Sequence, residues 1–287
     1  MKSSIITTLL LEWYKKNKRD LPWRKTHDPY NILVSEVMLQ QTQVSRVLIK
    51  YREFLSTFPT INDLAKASPA QVITTWKGLG YNRRALFLKK TAQAIVGEHN
   101  GTFPKDIKDL CALPGIGDYT ARAVLSFAFK QPVPMMDTNH RRFYQRVFVG
   151  TETKKDKELL GIAEEVLPKK DAYDFNQALM DFGSLICTTK SPSCDSCPLQ
   201  KHCKAYPAIL TLPKKTSTTK KKVPFKETDR FVRGRIIDHL RHQKMLTQPE
   251  AIKMFKQFKK ERIIKIINFL QKDQLIDIID GRIHLPD

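Results

Sequence analysis

Apolar residues recur at helical spacing through most of the first 205 positions, and no stretch there alternates as a half-buried strand does. The run "DPYNILVSEVMLQQTQVSRVLIKYREFLSTF" opens with Asp28 as an N-cap and Pro29 at the first helical position. Further helices are predicted over 62–67, 69–77, 82–98, 106–111, 119–129, 139–148, 156–166 and 173–186. The breaks between them carry Gly or Pro: "FPT", "GLGYN", "GTFP", "LPGIG" and "KQPVP". No internal repeat is present.

The pattern changes near residue 207. "PAILTLPKKTSTTKKKVPFKETD" is rich in Lys, Thr and Pro, the composition of a linker, which we assign to 207–227. Beyond it lie amphipathic helices over 228–243 and 258–273 and a shorter one at 247–256. In "LIDIIDGRIHL", Asp280-Gly281 stands between two alternating runs and predicts a hairpin. Three helices followed by a hairpin make a winged-helix-like unit over 228–287.

Composition narrows the partner. Fifty Lys and Arg face 29 Asp and Glu, a net charge of +21, and residues 211–287 carry +10 of it. Such an excess favours a polyanion, and with no amphipathic lipid anchor, nucleic acid ranks above membrane. The 41 % apolar content supports real cores, and no apolar run is long enough to span a bilayer. The N-terminal segment lacks a small-residue cleavage site, so a cytoplasmic protein is expected.

Four of five cysteines, Cys187, Cys194, Cys197 and Cys203, fall in a C-x6-C-x2-C-x5-C pattern. In a cytosolic chain of this size that spacing indicates a metal site rather than disulfides, and four thiolates suit zinc or an iron–sulfur cluster. Cys111 stands apart and is expected to be a small buried hydrophobe. Two carboxylates stand out. Glu36 lies on an otherwise apolar helix face, where burial would raise its pKa and let it act as a general acid. Asp137 follows an extended apolar stretch and precedes a helix, the position of an N-cap. In "LPGIGDYTARAV", Gly115 and Gly117 open either a tight interhelical turn or an anion-binding helix N-terminus.

Taken together, residues 21–205 resemble the MutY adenine glycosylases of the helix-hairpin-helix DNA glycosylase superfamily. The matching motifs are "LPW" at 21–23, "SEVMLQQTQV" at 35–44, "GLGY" at 78–81, "LPGIGDYTARAVLSFAF" at 113–129, "DTN" at 137–139 and the cysteine loop with its "DFGSLIC" lead-in. The resemblance implies a mainly α fold: a two-lobed glycosylase core over 1–206, with a six-helix lobe near 22–133 and a cluster lobe of 1–21 with 134–206. It implies a 4Fe-4S cluster on the four cysteines and a basic loop with Lys190, Lys201 and Lys204. Glu36 is then expected to protonate an extruded adenine and Asp137 to face the sugar cation, with Tyr119 and Asn139 in support. Gln40, Gln41 and Tyr81 are expected to enter the duplex, and Leu113, Pro114, Gly115, Ile116 and Gly117 to grip a phosphate.

The implied enzyme is a monomeric, monofunctional glycosylase acting on double-stranded DNA. It would excise adenine opposite oxoguanine or guanine in the cytoplasm, at the nucleoid if the source is prokaryotic. Relatives with lyase activity, such as endonuclease III, carry a lysine where this chain has Tyr119. Thymine-mismatch glycosylases keep the tyrosine but not the glutamate, so thymine or uracil excision is the second reading; a DNA-binding module without activity is the third. Thr138 departs from the family's usual glycine. The chain is too short for the family's Nudix-like domain; its tail resembles that of shorter bacterial members.

Overall fold

The computed structural model of the protein describes residues 2–211 and 223–287. Most of the expected linker, residues 212–222, lies outside the described residues. Fourteen α-helices are described: α1 (Lys2–Asn17), α2 (Pro29–Leu39), α3 (Val44–Thr57), α4 (Ile61–Lys66), α5 (Pro69–Thr75), α6 (Arg83–Glu98), α7 (Ile107–Ala112), α8 (Asp118–Phe127), α9 (Thr138–Tyr144), α10 (Asp156–Val166), α11 (Ala172–Leu185), α12 (Asp229–Gln243), α13 (Gln248–Met254) and α14 (Lys260–Lys272). Three short strands follow the same chain order: β1 (Met245–Thr247), β2 (Asp277–Ile279) and β3 (Arg282–His284). None of these helices is long and apolar enough to cross a membrane.

Local chemistry sets many of the boundaries. Asp28 Oδ1 accepts from the N–H groups of Tyr30 and Asn31 and starts α2. Thr60 with Asp63, and Ser68 with Gln71, close capping boxes at α4 and α5. The apolar run after Asp28 does not continue through one helix. It breaks at residues 40–43, where Gln41 takes a left-handed φ of 55°.

The contacts divide the chain into two compact units. The first comprises Met1–Leu33, Lys105–Cys111 and Ile116–Ser217. Its core stacks the α1 stripe Ile6, Leu10 and Tyr14 with Phe143 and Tyr144 of α9 and Phe175, Leu179 and Phe182 of α11. Spacing of four residues puts the α1 side chains on one face. Asp181 of α11, with no exposed side-chain surface, receives two parallel bonds of 2.8 Å from Arg24 and one of 2.7 Å from Arg19. Burial would raise its pKa, but the Arg24 and Arg19 contacts outweigh burial and lower it. This ion triad fixes the "LPW" segment to α11. Cys111, expected to be buried, is half-buried, and burial pushes its thiol pKa up.

The second unit comprises Val34–Pro104, Ala112–Gly115 and Thr218–Asp287. The C-terminal residues form α12–β1–α13–α14–β2–β3, with an antiparallel sheet ordered β1-β3-β2. Asp280 and Gly281 both have positive φ, the requirement of the tight hairpin turn between β2 and β3. This small winged-helix-like part shares its apolar core with Ile73 of α5 and Leu86 of α6. Arg241 donates to the Ile73 carbonyl, and the Ala70 N–H donates to Pro286 O at 2.8 Å.

Arg84 organises the two turns of this unit. Its Nη1 donates to the carbonyls of Val37, Met38 and Gln40 at 2.6–3.1 Å. Its Nη2 donates to Leu79 O, Gly80 O and Thr42 Oγ1 at 3.0–3.2 Å. Burial lowers its pKa to about 10. Arg84→Met is expected to destabilise the protein by more than about 2 kcal/mol, since each orphaned buried acceptor costs about 1–3 kcal/mol. Chemical denaturation would measure it; a loss below about 0.5 kcal/mol would show that water replaces the guanidinium.

Candidate active site and DNA interface

The segment before α9 is held extended by Asn176, whose Nδ2 donates to Val133 O and to Ser126 Oγ. Asp137 then caps α9. Its Oδ1 accepts from the N–H groups of Asn139 and His140, both at 2.8 Å, and contacts His140 Nδ1 at 2.6 Å. Among the described residues its Oδ2 accepts only from Asn139 Nδ2, at 2.9 Å. Burial pushes the Asp137 pKa up, but the His140 side chain and the N–H groups of His140 and Asn139 more than reverse it, to about 2. The carboxylate is thus held charged, 22 % exposed, with Oδ2 the oxygen left partly free.

His140 is fully buried and was not legible as a site residue. Its only cue is the i, i+3 spacing from Asp137 at a helix start. Asn139 is held from its other end: Arg142 Nη2 donates to Asn139 Oδ1 at 2.7 Å and to Gly183 O at 2.6 Å. Arg142 Nε donates to the Cys187 carbonyl, which ties this cap to the cysteine loop. Thr138 lies in the first turn of α9 with no left-handed φ, so the departure from glycine costs nothing in backbone conformation.

Gly183 permits the close approach of α11 and α9. A Cβ there would stand 2.6 Å from Asn139 Cβ and 2.7 Å from its Oδ1. Gly183→Ala is therefore expected to move Asn139 off Asp137 and to slow turnover at least about tenfold, as 1 Å displacements at a site do. Single-turnover kinetics would read it; an unchanged rate would mean that Asn139 is dispensable.

Tyr119 is half-buried in the first turn of α8 and belongs to the same unit as Asp137 and Asn139. Glu36 belongs to the second unit, in α2, where it is 4 % exposed between the buried Ser35 and Val37. In the turn between α7 and α8, Leu113 and Ile116 are buried while Gly115 and Gly117 are exposed. Apolar side chains thus anchor a turn whose backbone faces outward. Gly115 has a φ of 79°, and a Cβ there would stand 2.6 Å from Phe87 Cβ, so no other residue fits. Gln40 and Gln41 lie in the break just after α2, and Tyr81 follows Gly80 with a φ of 46° and is 44 % exposed. The left-handed backbone of a bulky tyrosine is uncommon and is held in place by Arg84.

Cys187, Cys194, Cys197 and Cys203 line a single pocket with Val147, Phe182, Ile186 and Leu199. No carboxylate or imidazole lines it among the described residues. Among those residues no three His, Cys, Asp or Glu side chains are gathered as a single metal ion requires. Arg146 Nη1 lies 3.3 Å from Cys187 Sγ, and burial raises the Cys197 thiol to about 12. An all-thiol donor set in an apolar shell with a cation beside one sulfur fits a soft-metal group.

Residues 34–169 match the HhH-GPD superfamily base excision DNA repair protein. The adenine DNA glycosylase of Mycobacterium tuberculosis is 37 % identical over 98 % of this chain and 94 % of its own length. The chain belongs to the adenine DNA glycosylase family. A second member, from Mycolicibacterium smegmatis, is 41 % identical over 83 % of this chain and 81 % of its own length. A solved thermostable thymine-DNA glycosylase superposes with a TM-score of 0.68 at 33 % identity, covering 71 % of this chain and 96 % of that one. The chain has the mainly helical HhH-GPD fold, with a small C-terminal sheet.

Proposed function

We propose that this adenine DNA glycosylase hydrolyses the glycosidic bond of adenine mispaired with oxoguanine or guanine and leaves an abasic site. The observation that carries the reading is Asp137: a carboxylate kept charged by four donors, with Oδ2 the less occupied oxygen. Such a group stabilises a cationic sugar. Because a base within a duplex is out of reach, the nucleotide is flipped out first, with Gln40, Gln41 and Tyr81 entering the duplex and the Leu113–Gly117 turn holding a phosphate. Glu36 gives its proton to N7 of adenine. The C1′–N9 bond then breaks, its electron pair leaving with the base, and Asp137 faces the resulting oxocarbenium ion. Water adds to C1′ and returns a proton to Glu36. Tyr119 and Asn139 support these carboxylates, and with tyrosine at 119 no amine is offered there for lyase chemistry. The enzyme acts as a monomer.

The test is base release from duplexes carrying A opposite oxoguanine, A opposite G, T opposite G and U opposite G. Release of adenine alone, with no borohydride-trapped adduct, is the expected outcome. Release of thymine or uracil would support the second reading, and release of nothing would leave a DNA-binding module.

In the same proposal Cys187, Cys194, Cys197 and Cys203 hold a 4Fe-4S cluster, which supplies no step of the hydrolysis and orders the loop bearing Lys190, Lys201 and Lys204. Domain limits at 1–206, 207–227 and 228–287 belong to this reading. Anaerobically purified protein is expected to be brown, with about four irons per chain. Stoichiometric zinc without iron would overturn the cluster.

A further inference from the structure

Within the second unit, a groove of about 890 Å³ runs between the Gln40–Gln41 turn, the residue 78–82 turn and α12. Six arginines line it against two aspartates, Asp238 and Asp273. Most of these guanidiniums are committed to the fold. Arg84 is spent on backbone carbonyls, Arg241 on Ile73 O and Asp238, and Arg233 and Arg83 on Asp273. Arg46 of α3 and Arg230 of α12 are different: among the described residues neither side chain makes a hydrogen bond or ion pair. Arg230 is exposed and lies with its guanidinium carbon 4.4 Å from the centre of the Tyr81 ring. Stacking on an aromatic face holds the fork in position and leaves its N–H donors unused.

We propose that the C-terminal part completes the DNA interface by presenting Arg230 at the Tyr81 wedge, where it donates to acceptor oxygens of the substrate duplex. The inference rests on the reading that Tyr81 enters DNA. A guanidinium stacked on that ring reaches the duplex when the ring does, and two acceptor classes then lie within its range: phosphate oxygens and the acceptor edge of the base opposite adenine. Net positive charge in the groove draws the backbone toward it, and Arg46 of α3 supplies a second uncommitted donor to its lining. The tail thereby becomes part of recognition, in addition to covering Ile73 and Leu86.

The experiment uses the full chain and the variants Arg230→Met and Arg230→Glu. Affinity for duplexes with A opposite oxoguanine and A opposite G is measured across a salt series, with melting midpoints as the fold control. Arg230→Met is expected to weaken binding about tenfold and Arg230→Glu further, with midpoints unchanged because the side chain is exposed. A phosphate contact lowers the slope of log affinity against log salt by about 0.9. A base contact instead leaves the slope and narrows the preference between the two duplexes. Binding within twofold of wild type for both variants at every salt concentration overturns the proposal. Base release by the wild-type chain is read on the same duplexes. Absent release with Arg230-dependent binding sinks the hydrolysis and keeps this inference, and release with Arg230-independent binding does the reverse.

Discussion

Asp137→Asn is expected to reduce single-turnover adenine release about 10³-fold while DNA affinity stays within about threefold. The substitution keeps volume but removes the charge that matters when the sugar becomes cationic, the kind of contact whose loss costs about 10²–10³ in rate. It also disturbs the cap. Asn139 Oδ1 is engaged by Arg142, so Asn139 must keep its amide turned toward residue 137. An asparagine at 137 can satisfy the N–H groups of residues 139 and 140 with one oxygen, but then turns an NH₂ toward the NH₂ of Asn139. Stability changes with a definite sign. The folded Asp137 pKa of about 2 lies below its ordinary 3.8, so its contribution of about 2 kcal/mol is present above 3.8 and lost as pH falls through 2. Asp137→Asn should abolish that part of the acid dependence, and denaturation midpoints at neutral and acid pH would show it. Near-normal release by this variant would remove Asp137 from the chemistry.

Glu36→Gln is expected to cost a similar factor, about 10³ in the release step, for a different reason. Glutamine fits the same buried place on α2 but has no proton to give, and general acid catalysis contributes about 10²–10⁴. Because the proton matters only as the bond breaks, the loss should fall on the rate at saturating enzyme and not on affinity. The melting midpoint should hold, since shape and polarity are kept. The decisive comparison is a substrate whose base leaves without protonation help. If Glu36 acts as the acid, the variant recovers most of its rate there. Equal losses on both substrates would make Glu36 a structural group.

Much of this protein was determined locally, and local features are what a chain shows without its fold. Asp28, Thr60, Ser68 and Asp137 start helices because a short oxygen-bearing side chain can reach N–H groups two or three residues ahead. The Asp280-Gly281 turn, the glycine at 115 and the cysteine spacing are equally short-range. They carried the helical class, the hairpin and the thiol set. The groups that tension the site are long-range. Arg84 closes on carbonyls 44–47 residues away, Asp181 binds arginines about 160 residues earlier, and Arg142 meets Gly183 and Cys187 more than 40 residues on. In the sequence these are ordinary charges on helices, because nothing local specifies the partner. His140 and Gly183 matter only because α9 and α11 pack closely enough to bury one and exclude a Cβ at the other. Arg230 was one lysine or arginine among 19 in a basic tail, and only the packing of α12 brought it to Tyr81. Periodicity and caps report which backbone forms, whereas desolvation and donor geometry depend on what the fold sets against each side chain, so the tertiary structure alone decided which charges were left to act.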